Sequence, residues 1–232
     1  MTVTFVTAFV PPKTPYRSLE TYRQHFQRLA ESGIPILLFL DPSLQHWTLP
    51  DTVHVVPTRL RTDWIPTNVQ LPAHRTPTKD TQEYLAIQLQ KLAWLDEARA
   101  YTTSSHLAWI DFGAFHMVKN PDHCAALLRQ IATSDFPSHR ILAPGCWPPG
   151  QYDWNSVAWR FCGTFLLAHR DLIHPALERQ TALVQAQLPR LTWEVNYWSQ
   201  MDDLFEVYLA NHDDSLFSRV MVFVQRHQGV ST

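Results

Sequence analysis

The sequence predicts an α/β protein in which helices flank one mostly parallel sheet, and three observations carry that prediction. TVTFVTAFV (2–10), PILLFLD (35–41) and LAWI (107–110) are continuous apolar runs, as strands buried on both faces tend to be. They alternate with stretches of helical period in the order β-α-β-β-loop-α-β-α-β-β-α. Two of the runs end on an acid, Asp41 and Asp111, at the carboxyl edge where such sheets bind their ligands.

Each element has its own signal. The first strand is closed by Pro11 and Pro12, and Ser18 then caps a helix whose Leu19, Tyr22, Phe26 and Leu29 share a face before Gly33. VHVVP (53–57) is a short third strand. From Thr58 to Thr78 the chain is proline-rich and aperiodic, and loops of this length, about twenty residues, are often functional. Asp80 and Glu83 read as a helix cap with its acidic partner, opening a long helix to about Ala100. Leu85, Leu89, Leu92 and Leu95 form its inner stripe, with Tyr84, Gln88 and Lys91 on another face. A strand ending at Asp111, a helix near 121–133 and a strand at 140–145 follow. VAWRFCGTFLLA (157–168) reads as a long strand, and its mid-run Gly163 suggests a bulge or a close approach by a ligand. A helix near 171–188 and TWEVNYWSQM lead to a tail of mixed apolar and acidic segments. No repeat or composition break divides the chain, so a single domain over 1–232 is expected.

Composition narrows the function. A length of 232 residues, 45% of them hydrophobic, can bury a substantial core. Nineteen basic against twenty-one acidic residues give a net charge of −2, which argues against a general nucleic-acid binder. No apolar run is long enough to predict a transmembrane segment, and the N-terminus reads as a strand rather than a signal peptide. Three widely spaced cysteines form no C-x-x-C pair, which points to a reducing, cytoplasmic setting. Seventeen prolines against six glycines leave no glycine-rich phosphate loop. A nucleotide diphosphate bound here would have to be neutralised by something other than a glycine-lined amide cradle.

Several clusters carry chemistry. Asp111 either starts a turn through its own backbone or holds a cation, with Gly113 and His116 nearby. The letters DFG with HRDL at 169–172 invite a kinase reading, which fails. The order is reversed, Ala176 stands where an Asn is needed, and the glycine-rich loop is missing. ANHDDSLF (210–217) offers His212, Asp213 and Asp214 either as a capped turn or as a metal ligand set led by His212. In WEVNYW (193–198) the rings form either a sugar-binding wall or a buried helix, which would leave Glu194 an ordinary first-turn acid. Tyr84 and Lys91 are either solvated or overlook the site, where the lysine would meet Asp111 or a sugar hydroxyl.

Taken together, LPAHRTPTKDTQEYLAIQLQKLAWLDEA, HLAWIDFGAFH, VAWRFCGTFLLAHRDLI, WEVNYWSQM and YLANHDDSL resemble the HtrL/YibB (WlaTC-like) glycosyltransferase family. The resemblance runs from the first strand to about Leu216. It implies a GT-A-like (Rossmann-like) fold, in which a D-x-D motif ending a strand binds Mn²⁺ or Mg²⁺ and the diphosphate of a nucleotide-sugar. Asp111 matches the first acid of that motif, while Gly113 stands where a second would be expected. The resemblance further implies His212 as a histidine returning to the metal, Asp41 at the base or ribose, and Thr7, Ala8 and Phe9 lining the nucleotide pocket.

The expected function is therefore transfer of a sugar from a nucleotide-sugar donor to a hydroxyl of a glycan or other acceptor, assisted by a divalent cation. Glu194 is the first choice for the group at the anomeric centre or on the acceptor, with Asp153 in reserve. Asp41, Tyr84, Lys91, Asp111 and Gly163 join the first strand end on the donor side. A metal-dependent phosphoesterase and a non-catalytic nucleotide-sugar binding module are the rival readings.

Overall fold

The computed structural model describes residues 2–136 and 139–227. Its framework is one seven-stranded sheet in the order β3-β2-β1-β4-β6-β5-β7. The strands are β1 (Val3–Phe9), β2 (Ile36–Leu40), β3 (Val53–Pro57), β4 (His106–Ile110), β5 (Ile141–Gly145), β6 (Phe165–His169) and β7 (Phe205–Leu209). β1, β2, β3 and β4 pair in parallel, β6 is antiparallel to both β4 and β5, and β7 runs parallel to β5. Every strand except β6 therefore points the same way. The carboxyl ends of six strands and the amino end of β6 share one edge. The mixed, mostly parallel sheet flanked by helices is the one the apolar runs predict.

Alternation along β1 shows how the sheet is covered. Val3, Phe5 and Phe9 face one core and Val6 and Ala8 the other. The first core is closed by α1 (Leu19–Ala30), α4 (Pro121–Thr133) and α7 (Ser215–His227), through Phe26 and Leu29, Cys124 and Leu128, and Leu216 and Phe217. The second is closed by α2 (Gln82–Leu89), α3 (Lys91–Ala98), α5 (Arg170–Gln187) and α6 (Glu194–Trp198).

Four local expectations are corrected. The long helix is two, interrupted at Gln90, although its leucine stripe is buried as expected. Its cap is Thr81, whose hydroxyl accepts from Tyr84 N, and Asp80 instead accepts from Thr76 N. Glu83 turns away to receive the backbone N–H of Lys13. The strand expected over 157–168 begins only at Phe165; residues 157–164 form an irregular crossover ending in a turn. The tail adds β7, an edge strand whose exposed Leu209 dilutes the apolar signal.

Candidate active site

The carboxyl edge of β4 holds a buried charge network. Asp111 follows the last strand residue, and its backbone N–H donates to Thr164 O at 2.9 Å, beside the start of β6. Its side chain is fixed from below. Asp111 Oδ1 accepts from Trp109 Nε1 at 2.7 Å and pairs with Lys91 Nζ at 3.0 Å. Trp109 lies two residues earlier, on the same strand face, and stacks on Trp94 at 5.9 Å.

Lys91 opens α3 on the face that packs on the sheet, so its side chain passes through the core to this edge. It is 2% exposed and meets a second acid, Glu194 at the start of α6, at 2.8 Å. Glu194 is itself 5% exposed, and Lys91 also donates to Gly163 O at 2.8 Å. Burial alone would pull the lysine's pKa down, but Asp111 and Glu194 outweigh it, so the ammonium titrates above its ordinary value of 10.5. Gly163 has a clear reason to be glycine. A Cβ there would collide with Glu194 Oε1 and lie 3.2 Å from Lys91 Nζ. The close approach anticipated at Gly163 is made by these side chains. Tyr84 stands beside them, its phenol held neutral by burial and then by Glu194, Asp111 and Asp80.

Only Asp111 of the three charged groups reaches solvent, at 32% side-chain exposure. One ammonium against two carboxylates leaves the network with a net charge of −1. Two basic residues stand near it. Lys79, at the end of the long loop, lies 5.4 Å over the Tyr84 ring. His212, beyond β7, is pulled below its ordinary pKa by desolvation, while Asp111 pulls it up and Lys79, His116 and Lys91 press it down.

The remaining predicted residues fall elsewhere on the edge or beneath it. Asp41 caps its own turn, accepting from Ser43 N at 2.9 Å and Ser43 Oγ at 2.6 Å. It ends β2, two strand spacings or about 10 Å from β4. Thr7 is fully buried, which removes it from any pocket wall, while Ala8 and Phe9 are nearly so. Phe9 stacks on Phe112 at 4.4 Å within an aromatic group that includes Tyr22 and Trp47. The rings of Trp193, Tyr197 and Trp198 are buried, so they form a packed helix and no sugar wall. Glu194 is accordingly no exposed first-turn acid. Asp153 is exposed in the β5–β6 crossover and accepts from Asn155 N at 3.0 Å. Asp214 accepts from Lys119 N and Asn120 N, which ties its segment to the entry of α4, and Asp213 accepts from Ser215 N. Reasoning from sequence missed the Trp109 bond, which the two-residue spacing to Asp111 could have suggested, and Lys79, for which the chain offers no signal.

The donor set can be tested against a divalent cation. No group of three His, Cys, Asp or Glu side chains able to hold a metal ion occurs among the described residues. Asp111 Oδ1 already serves Lys91 and Trp109. The residues therefore fit an ion carried in by phosphate oxygens and steadied by one carboxylate, the usual mode for magnesium, rather than a protein-enclosed ion. Two surface depressions, one lined by Trp64, Ile65 and Pro189 and the other by Lys13, Thr62 and Glu83, share no residue with this network.

Comparison with known proteins adds little at the level of sequence. No protein-family model matches the chain, so the resemblance to HtrL/YibB proteins is not joined by a family match. No curated protein matches it either. Among solved structures, it is similar to a glycosyltransferase involved in glycosylation of the major capsid of PBCV-1. That likeness has a TM-score of 0.48 at 12% identity, over 89% of this chain and 81% of that one. It is also similar to the bifunctional IspDF of Campylobacter jejuni, with a TM-score of 0.45 at 9% identity. There the chain spans 91% of its own length but only half (50%) of the other protein. Likeness this distant assigns neither a residue nor an activity. No helix among the described residues is long and apolar enough to cross a membrane.

Proposed function

We propose that this chain is a glycosyltransferase of the kind its sequence resembles, moving a sugar from a nucleotide-sugar to an acceptor hydroxyl. The observation that carries the reading is Asp111, a partly exposed acid at the carboxyl edge of a central strand, locked by Lys91 and Trp109. Ligands of open α/β sheets bind at this edge. A fixed carboxylate there is preorganised for a charged ligand.

In the transfer, the acceptor oxygen bonds to the anomeric carbon, the bond from that carbon to the diphosphate breaks, and the diphosphate keeps the electron pair. A site whose buried network carries −1 cannot neutralise that leaving group alone. Asp111, with His212 at the rim, would hold a Mn²⁺ or Mg²⁺ ion arriving with the nucleotide, which would supply Lewis-acid stabilisation of the diphosphate. Lys91 keeps Asp111 in one orientation. Glu194, closed off from solvent, acts through Lys91 as a positioning residue, while exposed Asp153 is left to take the acceptor proton. A phosphoesterase with paired metals would need a bridging carboxylate, and Asp111 Oδ1 is instead bridged to an ammonium.

A thermal-shift panel of UDP-, GDP- and CDP-sugars tests the reading. At least one should stabilise the protein, by about 2.7 kcal/mol at a hundred times Kd, and should do so more with Mn²⁺ than with EDTA. Equal shifts with and without metal would remove the cation. No shift with any nucleotide would remove the function.

A further inference from the structure

Trp147 and Trp159 are the exposed exceptions among the nine tryptophans, at 40% and 39%. They are neighbours. Both lie on the crossover between β5 and β6, which leaves the sheet at the edge that holds Asp111. Trp159 O accepts from Cys146 N at 3.1 Å and from Trp147 N at 3.0 Å, which ties the two limbs of the crossover together. Arg160 locks them further, pairing through Nε with Asp202 at 2.6 Å and donating from Nη1 to Trp147 O at 3.0 Å. The exposed rings therefore project from a backbone with little freedom to lose on binding. Exposed apolar surface that is contiguous, rather than scattered singly, marks interaction sites.

The surface is continuous with the proposed site. The Trp159 ring meets His212 edge-on, with centroids 4.9 Å apart. His212 follows β7, which lies beside β5 at the opposite end of the sheet from β2 and Asp41. Asp111, on the central β4, sits between the two halves. If the nucleotide occupies the β1–β2 half, the β5–β7 half is left for the acceptor.

We propose that the acceptor is itself a carbohydrate and that one of its sugar rings packs on Trp159, with Trp147 extending the platform. This rests on the glycosyl-transfer reading above. A pyranose presents a face of C–H bonds that suits the electron-rich face of an indole, and an edge of hydroxyls. His212 touches the Trp159 ring, and exposed Asn211 precedes it in the chain, so polar groups adjoin the ring. A bare hydrocarbon surface would gain nothing from them.

The test is saturation-transfer NMR on the full chain with methyl glycosides of the common hexoses, N-acetylhexosamines and deoxyhexoses, without donor. At least one glycoside should bind and should shift the indole N–H signal of Trp159, assigned with Trp159→Phe. Trp159→Ala should weaken that binding by about tenfold or more, the scale on which one stacking ring acts. Trp159→Phe, which keeps a ring against His212, should keep most of it and should leave the nucleotide-induced thermal shift unchanged. Binding of no glycoside, or wild-type affinity in Trp159→Ala, overturns the proposal. So does a glycoside that binds while leaving the Trp159 signal unmoved, a readout in the unmodified protein that does not depend on the variants folding. A nucleotide shift that is missing while glycosides bind at Trp159 would instead overturn the transfer reading and leave a carbohydrate-binding surface standing.

Discussion

Lys91 is a lysine almost without solvent, and its neighbours explain why that is tolerable. Two carboxylates and a carbonyl oxygen take its three donors at 2.8–3.0 Å, so the buried charge is paired and its hydrogen-bonding capacity is met. Asp111 is the member of this set placed to meet a ligand. Asp111→Asn keeps an oxygen for Trp109 and Lys91 but removes the charge, and it should lower turnover about 10²-fold or more with the fold intact. A steady-state assay with a melting curve checks both; wild-type turnover would reduce Asp111 to a turn residue. Glu194→Gln leaves an oxygen facing Lys91. It should lower kcat far more than it raises the KM for the donor, and it should alter the pH–rate profile, because Lys91 and Asp111 are then balanced differently. A purely structural acid would lower the amount of folded enzyme and leave that profile unmoved.

At the scale of elements, the site depends on where two helices begin. The interruption at Gln90 starts α3 on Lys91, and a tight entry after Thr192 starts α6 on Glu194. The two starts meet over the chain entering β6, and Gly163 is the spacer that lets them meet. Gly163→Ala should push Glu194 off Lys91, at a cost of about 1–3 kcal/mol for a methyl forced into filled space. Urea denaturation would measure the loss, and turnover should fall with it. An unchanged midpoint would mean that the crossover can move aside. The antiparallel β6 matters for the same reason: being reversed, it brings its amino-terminal approach, Gly163 and Thr164, to the edge where its neighbours end.

For the whole molecule, the buried network links stability to alkaline pH. Lys91 titrates above 10.5, so its contribution is complete below that value and is lost as pH rises through the folded-state pKa. Tyr84, raised well above 10.0, acts in the same direction, since the unfolded phenol ionises first. Unfolding free energy should therefore fall steeply above about pH 10, near where free lysine and tyrosine ionise. Lys91→Met should be less stable by about 3–5 kcal/mol at neutral pH, because buried Glu194 and partly exposed Asp111 lose their partner, and should show a shallower alkaline decline. Equal slopes for the two proteins would place the alkaline sensitivity elsewhere.

What the sequence determined by itself is what nearest neighbours along the chain decide. Continuous apolar runs specified β1, β2, β4 and the parallel character of the sheet, and Pro121–Thr133 is helical where a helix near 121–133 is expected. Asp111 stood out because an acid ending an apolar run is a local signal. Lys91 was also within reach, since its place off the leucine stripe, just before the β4 strand, allowed the contact with Asp111 that the structure makes. The tertiary structure decided what depends on distant pairs. Glu194 lies 103 positions from Lys91, so no local pattern separates a buried partner from a solvated first-turn acid. The rings of WEVNYW became core, and Trp159 became surface, because packing assigned one segment a helix to bury and the other a crossover at the edge of the sheet. Apolar residue types are the same in both settings; what differs is which surface the rest of the chain brings over them.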